Sequence, residues 1–428
     1  MSRAPLLLRA YGGLANIAAP LLFRRIRDRL IAHGIQPGRT RERLGHATVA
    51  RPAGPLVWVH GASVGETLSA LPVIAALRDR RDPPTILVTS GTATSAQILT
   101  QRLPQGCIHQ FAPLDGARAL RRFNAHWKPD LLVLMESEIW PQMIATAPCP
   151  VVLLNARLSP RALARWRKLG SSASWLLSRL CLITAQTEAV AQGLRDLGVA
   201  PDRIRVGGNL KAAAPPLDAD PEAFTAIRTL LADRPRWLAA STHTGEEAHV
   251  LAAHAALLRE HSDLCLILAP RHPDRADRIA AQIAQAGLTL TRRSVGESPT
   301  SQVYLADTLG EMGLWYRAAP ITFVGGSLSP NGGHNPWEGA ALGCALLTGH
   351  YLTNAAQDWQ ALRDADAAIT GLTPDTLTAA LRDLLADPAR ARAMGDAART
   401  LTASQTGDVA RTVADLLALM PHGTPHAS

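Results

Sequence analysis

Short apolar runs alternate along the chain with longer segments whose apolar residues recur every three or four positions. "LVWV" (56–59) passes through small residues into Leu68, Leu71, Ile74 and Leu77, which reads as a strand, a tight loop and a helix. "TILVTSGT" (85–92), "DLLVLMESEIWP" (130–141), "PVVLLNARLSP" (150–160) and "LCLITAQTEAVAQGL" (180–194) continue the alternation. The design then begins again. "RWLAAST" runs into His243-Thr244-Gly245-Glu246, a helical segment follows, and "LCLILAPRHP" (264–273) supplies the next strand. Laying Gly65-Glu66 on Gly245-Glu246 brings the following strands of the two halves into coincidence. "ITFVGGSLSPNGGHNPWEGAALG" (321–343) and "CALLTGH" (344–350) extend the second half.

Strand, small-residue loop, helix, strand is the βαβ unit of an open parallel sheet. The fold class is therefore α/β, with two Rossmann-like parallel-sheet domains expected to face each other across a cleft. Residues 207–223, rich in glycine and proline, read as a connection. The expected division is an N-terminal helix over 1–35, a first domain over 36–211, a linker over 212–230 and a second domain over 231–428. The last helix is free to pack back on the first domain.

Ligands of such sheets sit beyond the carboxyl ends of the strands. Glu66, Glu136, Glu138, Arg157, Arg271, Ser327 and Asn335 all fall at such ends. Ser63-Val64-Gly65-Glu66 also fits the S-x-x-E capping box, in which the glutamate bonds a free backbone N–H. By itself the motif leaves capping and chemistry both open. In "PNGGHNPWEG" the expected N-cap is Asn335, with Pro336 at the first helical position and Glu338 at the third. Glycines before such a cap leave N–H groups open to an anion, and Arg271 is placed to clamp the same phosphate.

Composition narrows the partners. At 428 residues, 47% hydrophobic and 18% charged, the chain has material for two or three cores. A net charge of +9 and a pI near 9.9 favour acidic partners. Only 4% of residues are aromatic, and no stacking platform, zinc finger or zipper appears, so nucleic acid is not an expected partner. Five scattered cysteines form no CxxC and read as buried thiols in a reducing compartment. Neither HExxH nor a GxxxxGK[ST] loop is present. The two Asp-Ala-Asp triplets, 218–220 and 364–366, read as solvated charge, so no metal or redox cofactor is expected.

"PLLLRAYGGLANIAAPLLFRRIRDRL" at the N-terminus is apolar but interrupted by Arg9, Gly12, Gly13, Asn16 and Pro20, and reads as short of a spanning helix. Leu7, Leu14, Ile17 and Leu21 can share a face, with Arg24, Arg25, Arg27 and Arg29 beyond them. That arrangement suits a helix lying in the interface of an anionic membrane. A surface helix packed on its own domain is the plain alternative.

"VHGASVGET", "MESEIWP", "NARLS", "GNLK", "STHTGEE", "APRH" and "FVGGSLSPNGGHNPWE" stand in the order found in bacterial 3-deoxy-D-manno-octulosonic acid (Kdo) transferases. The chain resembles that family over residues 40–350, with "RERLG" (41–45) also in place. The resemblance implies the GT-B fold and metal-free, inverting transfer of Kdo from CMP-Kdo to a lipid A precursor. Attachment to the inner membrane, with the catalytic domains on the cytoplasmic side, goes with it. It further implies Glu66 as general base and Glu136 and Lys211 as supports of the transition state. Pro270 and Arg271, Leu309, Gly310 and Glu311, and Asn335, Pro336, Trp337 and Glu338 match the nucleotide-binding segments. The alternatives are another GT-B nucleotide-sugar enzyme, either an epimerase or a UDP- or GDP-sugar transferase, and a non-catalytic, membrane-associated nucleotide-binding protein.

Overall fold

The computed structural model describes residues 4–213, 216–232, 234–404 and 406–420. The first half forms strands β1 (Leu56–His60), β2 (Thr85–Ser90), β3 (Cys107–Phe111), β4 (Leu131–Met135), β5 (Val151–Ala156), β6 (Leu180–Ala185) and β7 (Ile204–Val206). The second forms β8 (Arg236–Thr242), β9 (Cys265–Pro270), β10 (Leu290–Arg292), β11 (Val303–Leu305), β12 (Ile321–Val324), β13 (Ala345–Gly349) and β14 (Ala368–Leu372). Their orders are β3-β2-β1-β4-β5-β6-β7 and β10-β11-β9-β8-β12-β13-β14, and every paired strand runs parallel. Helices cover both faces of a parallel sheet, so its strands must be apolar on both sides. β1, β4, β5 and β9 are accordingly buried along their whole length. Trp58 of β1 packs on Phe123 with ring centroids 4.3 Å apart, while Val57 and Val59 on the other face meet Ile74 and Leu77.

Strand order reverses once in each sheet. β1 lies between β2 and β4, and β8 lies between β9 and β12. The connections leave to opposite faces at those points, which opens a crevice beyond the carboxyl ends of β1 and β4 and another beyond those of β8 and β12. These two Rossmann-like sheets bear out the expected fold class.

The chain divides into one unit comprising Met1–Ala214 and Gln405–Ser428 and another comprising Pro215–Ser404. The expected linker over 212–230 needs correction, because most of it is structured within the second unit. Asp220 accepts the N–H of Ala223 at 2.7 Å and caps the helix Pro221–Leu231, which buries Ile227 and Leu231. Ahead of it, a Cβ on Gly313 would lie 2.1 Å from the carbonyl oxygen of Asp218. The final helix, Thr406–Leu419, belongs to the first unit, where Val409, Val413 and Leu416 complete the core beside Ile74 and Leu77. Arg205 ties it down through Asp415 and Thr412. The five cysteines are free, but only Cys265 and Cys344 are buried; Cys107 and Cys149 are half-buried and Cys181 is exposed.

The first helix, Leu6–Ala32, runs unbroken through Gly12, Gly13 and Pro20. The reading that these residues leave it short of a span is corrected. It is long and apolar enough to cross a membrane, and little of it is buried. A narrow stripe holds it to the first unit. Leu8 and Gly12 are buried, the Tyr11 hydroxyl donates to Asp115 at 2.9 Å, and Asn16 accepts the N–H of Arg118. At its other end Leu30 and Ile26 pack against Ala93, Ala96 and Phe111. Leu14, Ile17, Leu21 and Leu22 between them stand exposed, as do the four arginines.

Candidate functional site

The carboxyl ends of β1 and β4 gather the first unit's charged residues. Ser63 ends the loop after β1 and caps the helix Val64–Arg78 in a full capping box. The backbone N–H of Ser63 donates to Glu66 Oε2 at 2.8 Å, and the half-buried carboxyl also shares a side-chain hydrogen bond with Glu138. Glu136 follows β4 with φ at 53°, a left-handed conformation that costs a non-glycine residue about 1 kcal/mol. The turn directs its buried carboxylate to Lys211, whose Nζ lies 2.9 Å from Oε1. Lys211 is itself positioned from two sides. Asn155, at the end of β5, accepts the N–H of Leu210, and Asn209 accepts that of Lys211. A Cβ on Gly65 would sit 4.0 Å from the lysine nitrogen. Glu66, Glu136 and Lys211, expected from distant segments, thus converge at one strand edge.

Two residues that sequence reasoning did not assign a role complete the group. Glu138 receives the indole N–H of Trp140 at 2.6 Å and lies 3.3 Å from His60 Nε2. His60 is buried and its Nδ1 is 2.9 Å from the Thr89 hydroxyl. Burial raises the Glu66 carboxyl above its ordinary value, and the Glu138 and Glu136 charges raise it further against the Ser63 hydrogen bonds. Burial also acts to raise Glu138, but the His60 hydrogen bond and charge, with hydrogen bonds from Trp140 and Glu66, outweigh it and hold Glu138 low. Neighbouring carboxyls pushed in opposite directions are divided into one that stays ionised and one that holds a proton more readily. Only the pattern "VH" at a strand end signalled His60, and its partner comes from another strand.

The second unit repeats the Gly-Glu loop with a different outcome. Glu246 is fully buried, and its carboxylate accepts the N–H groups of His243, Gly326, Ser327 and Leu328 at 2.7–2.8 Å. Four bonds leave it no free lone pair for chemistry, and it fastens the loop after β8 to the loop after β12. Of the expected donor residues, Pro270 closes β9 and is buried, while Arg271 beyond it is exposed with its N–H on Thr242 O. Leu309 is 82% exposed, Gly310 takes a φ of 86°, and Glu311 is ion-paired with Arg293 at 2.6 Å. Asn335 is exposed, and Trp337 is buried with its indole N–H on Asp358. The expected cap is corrected by one residue. Pro336 is the N-cap and Trp337 the first helical position, in a helix of only five residues, Trp337–Ala341. Asn335 instead accepts the N–H of Trp337 at 3.3 Å. Among the described residues, no group of three or more His, Cys, Asp or Glu side chains is arranged to hold a metal ion.

The fold is two parallel-sheet units, each with a crevice at its switch point, and solved structures agree on it. The UDP-GlcNAc 2-epimerase from Neisseria meningitidis, 11% identical, matches with a TM-score of 0.55 over 85% of this chain and all of that one. The family model described as 3-deoxy-D-manno-octulosonic-acid transferase (kdotransferase) matches residues 38–214. A probable mitochondrial 3-deoxy-D-manno-octulosonic acid transferase of Arabidopsis thaliana is 37% identical over 84% of this chain and 83% of its own length. The 3-deoxy-D-manno-octulosonic acid transferase of Haemophilus influenzae is 32% identical over 96% of this chain and 95% of its own. The chain belongs to the Kdo transferase family and is a glycosyltransferase.

Proposed function

We propose that the enzyme moves Kdo from CMP-Kdo to a hydroxyl of a membrane-embedded lipid A precursor, inverting the anomeric carbon and using no metal. The convergence of Glu66, Glu136 and Lys211 carries this reading. Glu66 accepts the hydroxyl proton as the acceptor oxygen attacks, and its raised pKa makes it a stronger base than an ordinary carboxylate. Attack from the face opposite the leaving phosphate gives inversion. Lys211 supplies fixed positive charge for an anionic group of the donor, and Glu136 orients that ammonium and steadies cationic charge at the sugar. Arg271, Asn335, Glu338 and the loop 309–311 line the donor site of the second unit. Incubation with CMP-Kdo and a tetraacylated lipid A precursor is expected to add the mass of Kdo to the acceptor. The new linkage is expected to have inverted configuration by NMR, and Arg271→Ala is expected to raise the KM for CMP-Kdo. Release of free Kdo alone, with the acceptor unchanged, would count against a transferase acting on this lipid.

The first helix supports a place on the cytoplasmic face of the inner membrane. Asn16 and Ile26 both touch the first unit, and the ten-residue rise between them is only about 15 Å, half a hydrocarbon core. A helix held at both ends lies in the interface, with Leu14, Ile17, Leu21 and Leu22 in the acyl boundary and the arginines at anionic headgroups. The same segment, Asp115–Arg118, that receives Tyr11 and Asn16 begins three residues after Ala112, whose N–H bonds to Ser90 O beside the Glu66 loop. The triple substitution Leu14→Glu, Ile17→Glu, Leu21→Glu alters only exposed side chains. At about 1.5 kcal/mol or more per buried side chain, it is expected to weaken partitioning onto anionic vesicles by over about a hundredfold. Turnover of detergent-dispersed acceptor is expected to remain. Undiminished vesicle binding would assign the membrane face to another surface.

A further inference from the structure

The crevice beyond β8 and β12 holds a pair of histidines that no step above employs. His243 follows β8, and His334 immediately precedes Asn335. Their rings stack with centroids 5.0 Å apart and planes at 21°, and their Nε2 atoms are 2.8 Å from each other. Gly326, in the segment just after β12 with φ at 71°, makes room for the pair: a Cβ there would lie 3.0 Å from His334 and 3.5 Å from His243. Two imidazole nitrogens at this distance share one proton, as Nε2–H donating to Nε2. A further proton can enter at the outer Nδ1 of the donor ring without breaking that bond. Neither Nδ1 has a hydrogen-bond partner among the described residues, and both rings are partly open to solvent.

The surroundings determine when that proton arrives. His272 meets His243 edge-on at 5.7 Å, and Arg271 and Arg275 stand close by. Glu246 is the acid facing His243, and it is saturated by four N–H groups; Arg275 is paired with Glu247. Burial first holds both imidazoles below their ordinary range, His334 at about 4; His272, Arg271 and Arg275 lower His243 further against Glu246, while His243, Arg271 and His272 lower His334. The pair by itself is therefore mostly uncharged at neutral pH. An entering phosphate reverses the local field, because an anion beside an imidazole favours its charged form.

We propose that the His243–His334 pair takes up one proton when the donor phosphate enters this crevice and passes it to the CMP phosphate as the bond to Kdo breaks. The proposal rests on the CMP-Kdo reading above. In the transfer, the bond from the anomeric carbon to phosphate oxygen breaks and its electron pair goes to that oxygen. The acceptor oxygen bonds to the carbon, its proton goes to Glu66, and the proton of the pair neutralises one charge of the departing CMP. Solvent then takes the proton from Glu66, and the next donor phosphate recruits another to the pair.

Calorimetry of CMP binding to the full-length protein, in two buffers of different ionisation heat between about pH 6.5 and 8.5, tests this. Wild type is expected to take up close to one proton per CMP beyond what His334→Gln takes up, which removes CMP's own titration from the comparison. Its Kd is expected to rise by up to about tenfold per pH unit relative to that variant. His334→Gln is also expected to lower kcat more than it raises the KM for CMP-Kdo, a split that a merely structural role would not give. CMP binding with equal proton uptake in wild type and variant overturns the proposal. Should His334→Gln melt early, His243→Gln serves, and wild-type binding with no buffer-dependent heat above about pH 7.5 is decisive by itself. Failure of wild type to bind CMP at all would instead sink the donor-site reading.

Discussion

Glu66→Gln is expected to lower the transfer rate by at least about a hundredfold while the protein stays folded and still binds CMP. Glutamine can still accept the Ser63 N–H through its amide oxygen, so the helix keeps its capping box. What it cannot do is take a proton, and a hundredfold corresponds to about 2.7 kcal/mol of barrier. The pH profile gives a second handle. The base works only when ionised, so the rate falls as pH drops through the raised Glu66 pKa, and the acid limb lies above the usual carboxylate range. Removing the neighbouring charge with Glu138→Gln should move that limb to lower pH. Steady-state kinetics of both variants checks this, and near-normal turnover of Glu66→Gln would reduce Glu66 to a cap.

Lys211→Met should be the most damaging single change outside Glu66. The Lys211 and Glu136 side chains are only 19% and 9% exposed, and removing one partner strands the other charge. Loss of a buried partner costs about 3 kcal/mol or more of stability, visible as a lower denaturant midpoint. The double variant Glu136→Gln, Lys211→Met should regain most of that stability, because no uncompensated charge remains. It should not regain activity, since the fixed cation is gone. If the double variant recovers turnover along with stability, the pair is a structural bridge and the cationic role falls.

Much of this was legible in the chain because the relevant signals are local. Strand, loop and helix announce themselves through apolar spacing, and the repeated Gly-Glu loop fixed the two-sheet reading. The same repeat could not distinguish its own two halves. Glu66 takes one backbone N–H and meets another carboxyl, Glu138, whereas Glu246 is consumed by N–H groups contributed by Gly326, Ser327 and Leu328, some eighty residues away. Glu136 was legible as a strand-end acid, but its left-handed backbone and its aim at Lys211 were not, since Asn155 holds the loop that carries the lysine through Leu210 N–H. The helix Pro221–Leu231 was hidden by proline and alanine around Asp220, although Ile227 and Leu231 carry the helical spacing. At Asn335 the cap slipped by one residue, since the loop's hydrogen bonding favours Pro336.

The return of Thr406–Leu419 to the first unit orders events during synthesis. Ile74 and Leu77 emerge early, yet the core they belong to lacks Val409, Val413 and Leu416 until more than three hundred further residues have followed. The second unit is one uninterrupted segment, Pro215–Ser404, and has all of its own strands before that final helix exists. At about 5–20 residues per second, the delay is on the order of tens of seconds. The nascent first sheet therefore waits with an apolar groove along the helix Val64–Arg78, and the unit translated second is the one able to close first.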